Sequence, residues 1–243
     1  MKGKVALITG ASVGIGRAVA LKMAEEGVKL VLLDINAETL EKTQTELADK
    51  GNDVLAYVCD VSDEKRVNQV VLDATKKFGG IDILINNAAL WRNTQPFLEI
   101  PTEKWRSFLD VNVMGVVYCT KAVLPKMLEK GYGRIVNIAS VAGVYGNANM
   151  AMYSATKGAV ISMTKALAKE VVEQGVVVNS VSPGSVSDSS NPDVNHSIPM
   201  TLAYIGRTGT DNENAELICF LASEKASYIV GQNIQIDGCR KRL

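Results

Sequence analysis

Residues 152–157 read Met-Tyr-Ser-Ala-Thr-Lys and set Tyr153 four places before Lys157. On a helix the two side chains share one face, one turn apart. A free phenol titrates near pH 10 and, being protonated, is a poor base at neutrality, whereas a fixed positive charge a few ångströms away favours the phenolate. The pair is therefore a candidate proton carrier. By itself the spacing is common, and the rest of the chain must supply a reaction for it.

A second chemistry stands at Thr9–Gly16, "TGASVGIG", with glycines at Gly10, Gly14 and Gly16. An apolar β-branched run precedes it and a helical pattern follows at once. Glycines let the main chain approach a pyrophosphate, and a helix N-terminus offers free N–H groups. The spacing is G-x-x-x-G-x-G rather than the commoner G-x-G-x-x-G. The second apolar run ends at Asp34, followed by Ile35 in "DINAE". A carboxylate there accepts hydrogen bonds from both ribose hydroxyls of an adenosine and repels a 2′-phosphate. No basic residue follows it, and Val13 leaves none in the glycine loop. NAD(H) is expected over NADP(H). Asp60-Val61 closes the third run, placed either for an adenine edge or to cap the next helix. "NNAA", Asn86–Ala89, closes the fourth; its Asn side chains either tie strand ends together or meet the cofactor.

The elements that must position these groups are legible as alternation. Apolar runs recur at 5–9, 30–34, 54–60, 81–86, 134–140, 176–182 and 233–237, most of them apolar on both faces. Helical patterns fall between them at 14–26, 37–50, 63–78, 102–129, 151–174 and 211–222. That order predicts an α/β fold: one doubly wound Rossmann-type domain over 1–243, with a seven-stranded, mostly parallel sheet and helices on both faces. The stretch 185–206 mixes serines, prolines and turn formers and reads as a functional loop.

Composition narrows the function classes. The chain has 243 residues, 47% hydrophobic, with a formal net charge of zero and no long charged run. This argues against a nucleic-acid partner. Cys59, Cys119, Cys219 and Cys239 have no C-x-x-C spacing, and His196 is the only histidine. Neither a metal site nor a disulfide framework is expected, and reduced thiols point to the cytoplasm. No unbroken apolar segment approaches about 18 residues, so no membrane span is expected.

The assembled motifs resemble the short-chain dehydrogenase/reductase family, over essentially the whole chain. The likeness rests on "TGASVGIG", Asp34, "DV" at 60–61, "NNAA", Asn112 in "VNVMG", Ser140, "YSATK", "SPG" at 182–184 and the closing "GQNIQIDG". In overall pattern it is nearest to 3-oxoacyl-(acyl-carrier-protein) reductases. The resemblance implies that Tyr153 exchanges a proton with a substrate hydroxyl or carbonyl. Lys157 would lower the tyrosine pKa and bind the nicotinamide ribose, and Ser140 would hydrogen-bond the substrate oxygen. Asn112 would hold a helix break and a water that carries the proton onward. Cofactor contacts are implied for Gly10, Ser12, Val13, Gly14, Ile15, Gly16, Asp34, Ile35, Asp60, Val61, Asn87, Ala88, Ala89, Tyr153, Lys157, Pro183, Gly184 and Val186. Family members commonly assemble as homotetramers through the helices near 102–129 and 151–174; a homodimer is the other expectation.

Departures from the family pattern are informative. Asp188 stands where a threonine near the carboxamide is usual, flanked by Ser187 and Ser189. The segment up to Arg207 is shorter than usual. Asp211 replaces a common proline, with Thr210 and Glu213 able to form a capping box. Cys239 replaces a usual glycine. Three functions follow as expectations. The first is an NAD(H)-dependent oxidoreductase of a secondary alcohol or its ketone, with Trp91, Ala142, Tyr145 and the 185–206 loop as pocket wall. The second is an NADPH-dependent 3-oxoacyl-(acyl-carrier-protein) reductase, with Arg92, Lys104 and Arg106 as candidate carrier contacts. The third is a non-catalytic dinucleotide-binding sensor or scaffold.

Overall fold

The computed structural model describes residues 1–91, 94–187 and 199–241. Its seven strands are β1 (Val5–Thr9), β2 (Lys29–Asp34), β3 (Val54–Val58), β4 (Ile83–Asn86), β5 (Gly133–Ile138), β6 (Val176–Pro183) and β7 (Asn233–Ile236). They form one sheet in the order β3-β2-β1-β4-β5-β6-β7. All six pairings are parallel, so the expected sheet is found without an antiparallel edge. The helices are α1 (Gly14–Glu25), α2 (Ala37–Asp49), α3 (Glu64–Phe78), α4 (Thr102–Leu109), α5 (Gly115–Lys130), α6 (Val141–Tyr145), α7 (Ala151–Val171) and α8 (Asp211–Ala222).

Strand side chains alternate between two cores. Ala6, Ile8, Leu30, Leu32, Ile83 and Ile85 join α1 and α8 on one face. Their neighbours Leu7, Val31, Leu33 and Leu84 join α3, α5 and the C-terminal end of α7 on the other. A strand buried on both faces must be apolar at every position, which is why these runs lack a polar alternation. The chain builds outward from β1 to β3, then returns to place β4 beside β1. This reversal opens a crevice beyond the carboxyl ends of the central strands, where ligands bind in such sheets.

Three elements differ from the sequence expectation. The pattern read as one helix at 102–129 is broken by a π-helical turn, Asp110–Met114, between α4 and α5, where the resemblance implied a helix break at Asn112. The stretch 102–130 is long and apolar enough to cross a membrane. Here Cys119, Val123 and Met127 lie in the core under the sheet, which accounts for that composition. The 151–174 pattern ends earlier: α7 stops at Val171 and a 3-10 turn, Val172–Gln174, follows. Helix α6 was not anticipated, because five residues are too few to show a period.

The described residues of the 185–206 stretch make short pairings. Val186 bridges Gly209, Pro199 bridges Arg207 and Ala203 bridges Arg240. Arg92, Asp188, Ser189 and His196 lie outside the described residues.

Candidate active site

Because all strands point one way, their last residues share one edge of the sheet. Thr9 ends β1 with Gly10 next, Asp34 ends β2, Asn86 ends β4 with Asn87 next, Ser140 follows β5, and Pro183 ends β6. The sequence motifs are thus gathered by topology alone.

At the β1–β2 end the main chain does most of the work. Gly10 and Gly14 both adopt φ of 61°, a left-handed conformation that favours glycine. A Cβ at Gly16 would sit 2.0 Å from the Gly10 carbonyl oxygen. The first turn of α1 holds no acidic side chain, and Val13 at its cap position makes no side-chain capping bond. The leading N–H groups of the helix therefore remain for an anion. Asp34 is tied to this loop. Its Oδ2 accepts the Ser12 N–H at 3.0 Å and its Oδ1 accepts the Asn36 N–H at 3.0 Å.

Thr43 completes the arrangement and was not singled out from sequence. Its hydroxyl donates to the Ser12 carbonyl at 3.1 Å. The Ser12 residue is thus held at its N–H by Asp34 and at its C=O by Thr43. The signal was present: Leu40, Thr43 and Leu47 form the buried face of α2, and a polar residue on such a face needs a partner.

The neighbouring motifs resolve into definite partners. The Asn87 amide donates to the Thr9 and Gly10 carbonyls at 3.0 and 2.9 Å. The Asn87 and Ala88 N–H groups donate to the Thr9 hydroxyl at 2.9 and 3.0 Å. These bonds join the ends of β1 and β4, with Ala89 next along the chain. Asp60 does not cap α3; Asp63 does, by accepting the Arg66 N–H. The Asp60 carboxylate instead accepts from the N–H and hydroxyl of Ser62 at 2.9 and 2.7 Å. Val61 is buried against Gly115, where a Cβ would meet its side chain at 2.7 Å. Ile35 is exposed beside Asp34, and Ile15 lies in the first turn of α1. Gly184 rests on Asp237, where a Cβ would be 2.8 Å from that residue's Cα.

The opposite end is built from side chains, with Ser140 and Lys157 buried and Tyr153 part-buried. Ser140 caps α6: its Oγ accepts the Ala142 N–H at 3.1 Å, leaving its own O–H to donate. Tyr153 and Lys157 lie on the first turns of α7. Burial raises the Tyr153 phenol above its ordinary value, and a hydrogen bond from Ser140 acts in the other direction. Lys157 is 3% exposed, and burial lowers its amine to about 8. Its Nζ donates to the Ile138 carbonyl at 2.6 Å and lies 5.8 Å from the Tyr153 ring centre. The expected lowering of the tyrosine by Lys157 is thus not found in the chain alone. Desolvation dominates for both groups.

Asn112, fully buried in the π-turn, is a structural hub. Its Oδ1 accepts the Leu90 N–H at 2.8 Å, and its Nδ2 donates to the Leu90 carbonyl at 2.9 Å and to Thr156 Oγ1 at 3.1 Å. Thr156 in turn donates to the Tyr153 carbonyl at 2.9 Å. A chain of bonds therefore runs from the β4 exit to the turn that carries Tyr153. Gly143 is a second position that sequence reasoning missed. A Cβ there would lie 2.5 Å from the Lys157 carbonyl carbon, so only glycine lets α6 seat against α7. Of the expected pocket wall, Ala142 is buried, whereas Trp91 and Tyr145 are exposed, with the Tyr145 hydroxyl bonded to Gln235. The Thr210–Glu213 capping box is present, and Arg207 pairs with Glu213 at 2.7 Å. Among the described residues no group of His, Cys, Asp and Glu is placed to hold a metal ion.

Comparison with known proteins agrees with this arrangement. The family model described as short chain dehydrogenase matches residues 4–198. A 3-oxoacyl-[acyl-carrier-protein] reductase FabG from Thermotoga maritima is 38% identical over 98% of both chains. Further relatives at 36% to 39% identity carry the 3-oxoacyl-[acyl-carrier-protein] reductase name. A 2-dehydro-3-deoxy-L-rhamnonate dehydrogenase (NAD(+)) from Sphingomonas sp. is 38% identical, covering 98% of this chain and 95% of its own. The solved structure of an NAD+-bound xylitol dehydrogenase superposes with a TM-score of 0.90 at 36% identity, over 98% of each chain. With the parallel seven-stranded sheet and the glycine loop in place, this chain belongs to the short-chain dehydrogenase family of oxidoreductases.

Proposed function

We propose that this protein transfers a hydride between NAD(H) and a secondary alcohol or its ketone, with Tyr153 as the proton carrier. The observation that carries the reading is the convergence of Tyr153, Lys157 and Ser140 on the sheet edge where Asp34 and the glycine loop also end: the Lys157 amine lies 5.8 Å from the Tyr153 ring centre and donates to the Ile138 carbonyl, just before Ser140.

The residues present fit a dinucleotide. The cradle at Gly10 and Gly16 is one a Cβ would fill, and the α1 N-terminus has no acidic side chain in its first turn. Gly10, Ser12, Val13, Gly14, Ile15 and Gly16 would hold the pyrophosphate, and Asp34 the adenosine ribose. When bound, the nicotinamide supplies the hydride donor or acceptor. The protein moves the proton. Tyr153 gives its phenolic proton to the carbonyl oxygen in reduction, or takes the hydroxyl proton in oxidation. Ser140 donates its O–H to the same oxygen and orients it. The raised phenol of the free chain is poised as an acid, and oxidation requires added positive charge beside it. Asn112, with its amide committed to Leu90 and Thr156, positions Tyr153.

A second reading is supported by the names of most of the relatives: reduction of a 3-oxoacyl thioester on a carrier protein. A 3-oxo group is itself a ketone, so the proton chemistry is shared and the difference lies in cofactor and carrier. For the cofactor, Asp34 followed by uncharged Ile35, with uncharged Val13 in the glycine loop, favours NAD(H), because a 2′-phosphate would meet a carboxylate with no basic residue at either of those positions. Fluorescence titration with NADH and NADPH separates the two, followed by a panel of ketones and 3-oxoacyl thioesters run with both cofactors. Tighter NADPH binding with turnover confined to the thioesters would establish the second reading and overturn the first.

A further inference from the structure

The C-terminal segment brings a cation to the loop between the Ser140 helix and the Tyr153 helix. Beyond β7 the backbone reverses through two left-handed residues, Gly238 with φ of 63° and Cys239 with φ of 61°. The second is a non-glycine residue held in a costly conformation, so the turn is enforced by its surroundings. It is pinned on both sides. The Cys239 N–H donates to Asp237 at 3.0 Å, and the Tyr204 N–H donates to the Cys239 carbonyl at 2.9 Å. The Lys241 N–H then donates to the Leu202 carbonyl at 2.9 Å, fixing the residue between.

That residue is Arg240. Its guanidinium reaches the segment that joins the Ser140 helix to the Tyr153 helix, where Nη2 lies 3.4 Å from the Asn147 side-chain oxygen. Asn147 in turn donates its N–H to the Ser154 hydroxyl at 3.2 Å, next to Tyr153. Among the described residues no carboxylate pairs with Arg240, although Arg207 and Arg17 each hold one. A guanidinium carries five donors in a planar fork suited to a carboxylate, and among the described residues its one contact is a long one with a neutral amide.

We propose that Arg240 recognises a carboxylate on the substrate, so that the preferred alcohol or ketone is a hydroxy or oxo acid. This rests on the oxidoreductase reading above and names its substrate class. The acid end sits against the C-terminal turn while the reacting oxygen faces Ser140 and Tyr153. The chain thereby discriminates against uncharged ketones and against thioesters, whose carbonyl carries no charge.

The test uses matched pairs: 3-oxobutanoate, 4-oxopentanoate and 5-oxohexanoate, each beside its primary amide, reduced with NADH. The wild type is expected to favour the acid over the amide for at least one length. Arg240→Gln is expected to lower the acid-to-amide ratio of kcat/KM by about 10- to 100-fold, the worth of a charge-assisted pair, mainly through KM. Arg240→Lys, which keeps charge without the fork, falls between. A merely structural role lowers both members of a pair together and leaves the ratio intact; that result, or equal use of acid and amide by the wild type, overturns the proposal. Calorimetric titration of the same acids into the NAD+-loaded protein gives a second readout. Acid binding that depends on Arg240 without turnover of any pair supports this site while refuting the hydride-transfer reading. Acid binding unaffected by Arg240→Gln refutes the site alone.

Discussion

The two ends of the active-site edge hold their functional groups by different means. At the β1–β2 end the main chain is the binding surface. Glycines bring it close, and side chains such as Asp34, Thr43 and Asn87 hold its peptides in place. At the β5–α7 end the side chains are themselves the chemistry, and burial sets their proton affinities. The first end should respond to substitution in graded steps, because several bonds share one loop. The second should fail sharply, because one proton passes through one hydroxyl.

The sharpest break is expected at Tyr153. Tyr153→Phe removes the proton carrier and keeps the ring, so kcat should fall by about 10²- to 10⁴-fold, the range for a positioned acid or base. NADH binding, measured by fluorescence, should change far less. A variant with full turnover would show that the proton travels by another route.

Lys157 gives the next largest effect, and its sign is set by burial. Its folded pKa of about 8 lies below the usual 10.5. Between these values the unfolded chain binds more protons than the folded one, so stability rises with pH across that window. The rise attributable to Lys157 is about 1.4 kcal/mol per pH unit and about 3 kcal/mol in all. It is read as the difference between wild type and Lys157→Met in denaturant titrations of cofactor-free protein. Taking the difference cancels the thiols of Cys59, Cys119 and Cys219, which burial raises in both proteins. A difference that stays flat from pH 8 to 10.5 would place the amine in water rather than under the sheet edge.

These two groups were legible in the sequence because their relation is local: a tyrosine and a lysine one helical turn apart, and glycines between a strand and a helix. The seven strands were legible because two-sided burial leaves no polar position within them. What escaped acts across the fold. Gly143 matters only because α6 is laid on α7 at Lys157, and Thr43 only because α2 passes under Ser12. The break at Asn112 came from the resemblance and not from the apolar pattern, because the π-turn Asp110–Met114 interrupts the hydrogen bonds of a helical run without interrupting that pattern. Asn112 was identified by family likeness, but the route from Leu90 through Thr156 to Tyr153 required coordinates.

The graded end is tested by pairing Asp34 with Thr43. Asp34→Asn keeps an acceptor for the Ser12 N–H but removes the charge. It should weaken NADH binding by about tenfold, a loss typical of a charged hydrogen bond, and reduce the handicap of NADPH. Thr43→Val leaves the carboxylate and strands the Ser12 carbonyl. It should weaken NADH and NADPH alike by about fivefold, the worth of about 1 kcal/mol. Specificity would then reside in the carboxylate and positioning in the hydroxyl. Should Thr43→Val change the NADH-to-NADPH ratio instead, the two residues form one unit and the separation drawn here fails. The double variant measures that coupling directly.

The smallest effect belongs to Cys239, whose replacement of a usual glycine had no account from sequence. Its φ of 61° supplies one: the turn needs the left-handed conformation, and a side chain there is strained. The penalty is about 1–2 kcal/mol for a residue with a Cβ, part of which is returned because glycine has more freedom to lose on folding. Cys239→Gly should therefore stabilise the protein by about 0.5–1 kcal/mol and raise Tm by about 1–4 °C. Cys239→Val, branched at Cβ, should lower it. Calorimetry distinguishes the two signs. If glycine lowers Tm, the cysteine side chain earns more in contacts than its backbone loses in strain. The enforced turn that aims Arg240 would then be held by that side chain rather than by the bonds to Asp237 and Tyr204.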